Sequence, residues 1–259
     1  MIETEIANPT FTVDEVARFQ QDGYIIQRGL IPDSYVQTIL DVTRRDASAH
    51  FGDIEYEADV SYPGAPASLD AEGGRTIRRL RHAFSRDPVF SRLVKEDYLL
   101  NRLQQLLGPQ VVMPLTHHNC IMTKHPRYSS DTGWHQDTRF WSFKTPDLVN
   151  TWLALGQETL TNGCLKLLPG SHRMTFEPHQ LDEGLFFRED LEQNRALLDS
   201  AVTAELSAGD VLFFHARCFH SATRNYSDRT KYSAVFTFRS LDNPPVPGSR
   251  SCRLPELLL

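Results

Sequence analysis

The chain has 259 residues, 40% of them hydrophobic and 23% charged, with a formal net charge of −6. A chain of that length buries a large core without disulfide or metal staples, and its acidic balance excludes nucleic acid as the main partner, because phosphate binding needs clustered Lys and Arg. The four cysteines, Cys120, Cys164, Cys218 and Cys252, form no CxxC pair, and there is no apolar run of the ~18 residues a membrane span needs. The opening MIETEIANPT has neither a basic nor an apolar stretch, so no signal peptide is expected, and the location expected is cytoplasmic, with free thiols.

Residues 11–23 read as a short helix: Thr12 and Glu15 fit a capping box, Phe11 can staple onto Val16, and Gly23 supplies the stop. A strand and turn follow at 24–31. A second helix is expected over 32–50, capped by Asp33, with Val36, Ile39 and Leu40 on its apolar stripe. Residues 51–74 read as a long polar loop, a possible lid, and 87–108 as helix in two pieces ending at Gly108. From Val111 the pattern changes to short apolar or alternating runs at 111–124, 132–138, 148–156, 164–168, 210–215, 218–223 and 231–239. Many short strands after a helical start predict a β-sandwich or barrel with helices packed outside. The segment 174–203 interrupts them with a helix at 188–201, and the proline-rich tail after residue 240 cannot form a central strand. No Gly/Ser-rich or Pro-rich stretch divides the middle of the chain, so one domain over 1–259 is expected, with a helical part to about 108, a β core over about 109–240 and an extended tail.

The nine residues GWHQDTRFW, 133–141, place His135 and Asp137 two apart. On a strand such residues share a face, ~7 Å apart at Cα from the ~3.3 Å rise per residue. An imidazole nitrogen and a carboxylate oxygen at that spacing can reach one divalent cation; a second histidine would complete the two-His, one-carboxylate set of non-haem iron oxygenases. The alternative is that His135 bonds a neighbour and Asp137 caps a turn. The block AGDVLFFHARCFHS offers His215 and His220 as the second histidine.

FQQDGYIIQRGLI, GWHQD, NGCLKLLPGSHR, AGDVLFFHARCFHS and RNYSDRTKYSAVFTF, in that order and at those separations, resemble the phytanoyl-CoA dioxygenase family of Fe(II)/2-oxoglutarate oxygenases. The likeness covers most of the chain. It implies a double-stranded β-helix, a jelly-roll relative of the cupins, with His135, Asp137 and His220 as iron ligands and His172 in a turn. It also implies 2-oxoglutarate and O2 as cosubstrates and an oxidoreductase that hydroxylates an unactivated C–H bond of a small molecule, releasing succinate and CO2. Related halogenases carry a small residue at the position of Asp137, so the carboxylate here favours hydroxylation or a related oxidation such as desaturation.

One departure stands out. The family's arginine for the far carboxylate of 2-oxoglutarate stands eleven residues after the distal histidine, where this chain has Lys231. Lys231 can serve as a point charge, or Arg229 can serve from a shifted register. Trp152 resembles the tryptophan that lines the cosubstrate pocket in relatives, His118 lies on a face where relatives place cosubstrate contacts, and Ser221 can reach the 2-oxoglutarate carboxylate; core packing is the alternative for Trp152 and His118. Trp134, Phe140 and Trp141 either wall the site or fill the core. In GRTIRRLRHAF, Arg79 or Arg81 is expected to bind an acidic group of the substrate, with a solvated basic edge as the alternative. Two other readings stay open: a divergent member that binds metal and 2-oxoglutarate without turnover, and a zinc hydrolase on a cupin-like barrel.

Overall fold

The computed structural model describes residues 9–259, so the amino-terminal segment in which a signal peptide was sought lies outside the described residues. The helices are α1 (Val13–Asp22), α2 (Asp33–Ser48), α3 (Ala83–Arg86), α4 (Pro88–Leu93), α5 (Asp97–Leu107) and α6 (Glu192–Leu198). The strands are β1 (Tyr24–Gln27), β2 (Ile54–Tyr56), β3 (Ile77–Arg81), β4 (Val111–Pro114), β5 (Asn119–Lys124), β6 (Thr132–His135), β7 (Leu148–Ala154), β8 (Leu165–Leu167), β9 (Val202–Ala204), β10 (Val211–His215), β11 (His220–Ala222), β12 (Lys231–Ser240) and β13 (Glu256–Leu258).

Two antiparallel sheets face each other. The large one runs β1-β10-β7-β12-β5-β3-β2, with β4 also on β12 and β13 on β4; the small one runs β6-β11-β8-β9. This is the double-stranded β-helix that the strand pattern and the family blocks predict. Alternation along the strands of the large sheet divides the core. Val211 and Phe213 of β10 pack toward α1, α2 and α5, with Phe19, Ile39 and Leu103. Their neighbours Leu212 and Phe214 turn inward, to Trp152, Leu167 and Val235 between the sheets. Each fully buried large apolar side chain contributes ~1.5–3 kcal/mol, so the period-two pattern fixes which face of β7, β10 and β12 looks into the barrel.

Several boundaries differ from expectation. The strand expected over 132–138 ends at His135, and Asp137 opens a 3-10 turn, Asp137–Phe140. The reason is a change of partner: the Asp137 amide donates to the Ala216 carbonyl at 2.9 Å instead of continuing the ladder. The polar stretch 51–74 is not all loop, because β2 pairs with β3 through Ile54–Leu80 and Glu55–Arg79. Asp33 is the first helical residue of α2, Pro32 occupies the cap position, and no side chain caps it. The helix in 188–201 is confined to α6, and β9, which was not anticipated, borders the small sheet. The tail supplies an edge strand only, as its prolines require. All four cysteines are free, three of them buried, and no helix among the described residues is long and apolar enough to cross a membrane.

The capping box of Thr12 and Glu15 is present at α1, and Gly23 ends that helix in the left-handed region at φ +79°. A methyl group at Gly23 would collide with the His172 imidazole. Gly23→Ala is therefore expected to lower stability by more than ~1 kcal/mol in urea unfolding, since both backbone and packing oppose it.

Candidate metal centre

β6 and β11 bring His135 and His220 directly opposite each other as Cα partners. Their ring centroids are 4.2 Å apart. Each Nδ1 is tied to a carbonyl of its own chain segment, His135 to Gly133 at 2.8 Å and His220 to Cys218 at 3.0 Å. Those bonds put the proton on Nδ1 and leave the Nε2 lone pair free, the tautomer that a metal ligand needs. Both Nε2 atoms point at Asp137 Oδ1, from 3.8 Å and 3.7 Å. The three donor atoms all lie within 4.8 Å of one another, on buried residues. Burial and the facing His220 hold His135 well below its ordinary pKa, and burial lowers His220. Burial alone would raise Asp137, yet His118 and His220 keep its carboxyl far below the usual range.

Three electron-pair donors thus converge on one point with no proton between the imidazoles and the carboxylate. A divalent cation at the ~2.1 Å typical of such ligands bridges donors up to ~4.2 Å apart, and the two distances to Asp137 fall inside that limit. The residues fit a metal. The other oxygen of Asp137 accepts from Asn150 Nδ2 at 2.7 Å, and Asn150 Oδ1 accepts in turn from Thr237 at 2.6 Å. These buried bonds orient the carboxylate before any metal arrives. His118 Nε2 lies 3.0 Å from Asp137 Oδ1, and against the cost of burial that carboxylate raises the His118 imidazole to about 9.

Two cavities lie beside each other here, and only the inner one is bordered by the triad. The inner one lies between the sheets and is bordered by Met122, Lys124, Trp152 and Ser221 together with the three ligands. The outer one, about 330 Å3, opens past Trp141, His117 and Arg81. His118 and Arg79 border both.

Trp152, Ser221 and His118 therefore all face the inner cavity, while Arg79, Arg81 and Trp141 face the outer one. Lys231 is buried, but its Nζ donates to Glu158 Oε2 at 2.9 Å and sits 5.0 Å from the Trp152 ring. Glu158 Oε1 accepts from the Trp152 indole at 2.9 Å and from Ser233 at 2.6 Å. Arg229 is exposed and borders neither cavity. His215 is apart from the centre, 3.4 Å from Asp147. Of the three aromatic residues, Trp134 packs on the far face of the small sheet with Leu168, Phe187 and Phe219, and Phe140 is 51% exposed. Only Trp141 borders a cavity at the site.

Sequence reasoning passed over Lys124. Its ammonium is buried and donates to the Ser130 carbonyl at 3.0 Å, with no ion pair among the described residues. Burial, then the nearby Lys231 and Arg78, pull it down to about 7. A buried cation facing an empty space between sheets fits a carboxylate. The available signal was parity: His118, Met122 and Lys124 alternate onto one face. Asn150, two before Trp152, carried the same signal.

With this geometry in hand, the comparisons are specific. The family model for phytanoyl-CoA dioxygenase matches residues 19–233. Human peroxisomal phytanoyl-CoA dioxygenase is 23% identical, covering 91% of this chain and 70% of that protein. The ectoine dioxygenase of Halomonas elongata is 26% identical, covering the whole chain and 79% of the relative. Among solved structures, EctD from S. alaskensis with 2-oxoglutarate and 5-hydroxyectoine superposes with a TM-score of 0.73 at 20% identity, over 92% of this chain and 79% of that one. The epimerase SnoN, in complex with Fe3+, alpha ketoglutarate and nogalamycin RO, gives 0.71 at 21% identity, over 90% and 85%. The chain belongs to the phytanoyl-CoA dioxygenase family of Fe(II)/2-oxoglutarate-dependent oxygenases, with its His135, Asp137 and His220 triad intact. Its cofactors are those of the family, iron and 2-oxoglutarate.

The Asn150 bond to Asp137 has a measurable consequence. Asn150→Ala is expected to weaken metal binding by ~10–100-fold, the usual effect of removing the partner that orients a ligand. Mn(II) titration of the metal-free protein measures it.

Proposed function

We propose that this protein hydroxylates an unactivated C–H bond of a small molecule that carries an acidic group, with Arg79 or Arg81 meeting that group, and that it works in the cytoplasm. The observation that carries the reading is a complete triad bordering an inner cavity lined by a buried cation without an ion-pair partner, with a second, outer cavity sharing His118 and Arg79 as its border. Iron with 2-oxoglutarate and O2 supplies the oxidising power, with succinate and CO2 as coproducts. The protein's own part is placement. His135, Asp137 and His220 hold the metal from one side. Asp137, fixed by Asn150, keeps a carboxylate where a halide would otherwise bind. Trp141 and His118 border the route by which the C–H bond approaches.

Two lysines compete for the far carboxylate of 2-oxoglutarate. Lys231 stands at the family position, but its charge is already met by Glu158. We infer that Lys124 supplies the charge, with Trp152 and Ser221 beside it, while Lys231 and Glu158 stiffen the wall behind. Removing a hydrogen bond to a charged group costs ~1.5–3 kcal/mol, so Lys124→Ala should weaken 2-oxoglutarate binding to the Mn(II) protein ~10-fold or more by calorimetry. Carboxylate binding raises the pKa of an ammonium that burial, with Lys231 and Arg78 and against Glu57 and Asp131, has brought down to about 7. Below that pH the proton is already present; above it, binding must take one up. The affinity for 2-oxoglutarate should therefore fall as pH rises from 7 toward 9, and Lys124→Ala should remove that slope.

A divergent member without turnover has one observation in its favour, the Lys231–Glu158 pair. Substrate-dependent succinate release by the Fe(II) enzyme, with a product heavier by one oxygen, decides for the hydroxylase. Tight 2-oxoglutarate binding with no succinate from any of a panel of small acids decides for the other.

A further inference from the structure

The outer cavity has a border that the sequence did not announce. The tail passes over it as a 3-10 turn, Arg250–Cys252, and both Arg250 and Arg253 border the space, with Arg79 and Arg81 also on its border. Four guanidiniums in one concavity is an unusual concentration for a chain of net charge −6. The bordering carboxylate of Glu55 is shared by Arg78 and Arg79, at 3.3 Å and 3.4 Å. Arg81 reaches Asp53 only at 3.8 Å, and Asp53 is held more closely by His82, at 3.0 Å. Arg250 and Arg253 are exposed, and their side chains form no hydrogen bond or ion pair among the described residues, although the Arg253 amide donates to the Arg250 carbonyl at 3.2 Å.

Exposed arginines on a mobile tail would be ordinary. Here the backbone between them is pinned. Ser251 is fully buried; its Oγ accepts from the Ser142 amide at 2.9 Å and bonds His117 Nε2 at 2.9 Å. His117 in turn stacks on Trp141, 4.4 Å between centroids. Downstream, the Leu254 amide donates to Thr116 Oγ1 at 3.0 Å, and β13 zips onto β4. The fold therefore fixes where the two arginines leave the chain and leaves their charged ends unmatched. Mutual repulsion of fixed cations is relieved by an anion between them, and the planar fork of arginine suits phosphate or carboxylate.

Resting on the reading of the inner cavity as the oxygenase centre, we propose that the tail makes the outer cavity a receptor for a dianionic group of the substrate. That group is a phosphate monoester or a dicarboxylate, clamped by Arg250 and Arg253 from one side and by Arg81 from the other. Arg79, which borders both cavities, then stands between the anchored group and the metal. The substrate so defined is a small organic dianion whose reacting C–H bond lies on the side away from its charges.

The test is calorimetry on the Mn(II)- and 2-oxoglutarate-loaded protein, which cannot turn over. Phenyl phosphate and phenylmalonate are the two dianionic probes, and neutral benzamide is the control. At least one dianion should bind, with an affinity that falls as salt rises, and benzamide should not. Which dianion binds separates phosphate from dicarboxylate. Arg250→Ala/Arg253→Ala should weaken that binding at least tenfold with the melting temperature unchanged, and Arg18→Ala, on the exposed side of α1, should leave it intact. Binding of neither dianion, equal binding of benzamide, or full affinity in the double variant overturns the proposal. The same samples report the inner cavity separately: loss of 2-oxoglutarate binding with dianion binding retained sinks the oxygenase reading and leaves the receptor standing.

Discussion

Everything at the site depends on one cross-strand pair. His135 and His220 face each other as Cα partners across β6 and β11, a ladder whose register shifts by the next pair, Ala222 and Thr132, and a slip of one residue in either strand would turn its ring to the opposite face. What prevents the slip lies on that opposite face. Trp134 and Phe219, the residues just before each histidine, are buried with Leu168 and Phe187. Their burial, worth ~1.5–3 kcal/mol each, holds the register that the metal ligands need. The aromatic bulk around the His-x-Asp motif thus acts mainly from behind the sheet. It keeps the ligands aligned, and of Trp134, Phe140 and Trp141 only Trp141 borders a cavity, the outer one.

The fold and the metal ligands were legible for different reasons. Apolar alternation marked β7, β10 and β12, because one face of each meets helices and the other meets the barrel interior. The capping box and Gly23 delimited α1 because local backbone chemistry sets a helix end. The ligands His135, Asp137 and His220 followed from spacing and from the order of the family blocks. What escaped was non-local. Nothing near Glu158 in the sequence says that it will meet Lys231, 73 positions away, and that meeting is what leaves Lys124 as the unmatched cation of the inner cavity. The partner strand of β3 was hidden in a polar stretch because Glu55 and its neighbours serve an edge. The tail arginines were unreadable because their value lies in where Ser251 is tethered.

Buried charge is distributed with a consistent logic. Arg78 lies within 3.4 Å of Glu55 and Glu57, and Lys231 within 2.9 Å of Glu158, so each of these buried cations has a carboxylate beside it within the wall. Pairs of this kind seldom add net stability, because desolvation offsets their attraction, but breaking one leaves a costly orphan. Against that background the unpaired cations are informative. Lys124 borders the inner cavity and Arg250 and Arg253 the outer one, and none of the three has an ion pair among the described residues.

The partition between the cavities is thin: His118 and Arg79 present surface to each. Occupants on its two sides are then coupled thermodynamically, and whatever factor one changes in the other's affinity is returned in equal measure. A side chain that shifts to receive a guest in one chamber alters the dimensions of the next. Because His118 and Arg79 are shared, a substitution at either one reshapes both chambers at once.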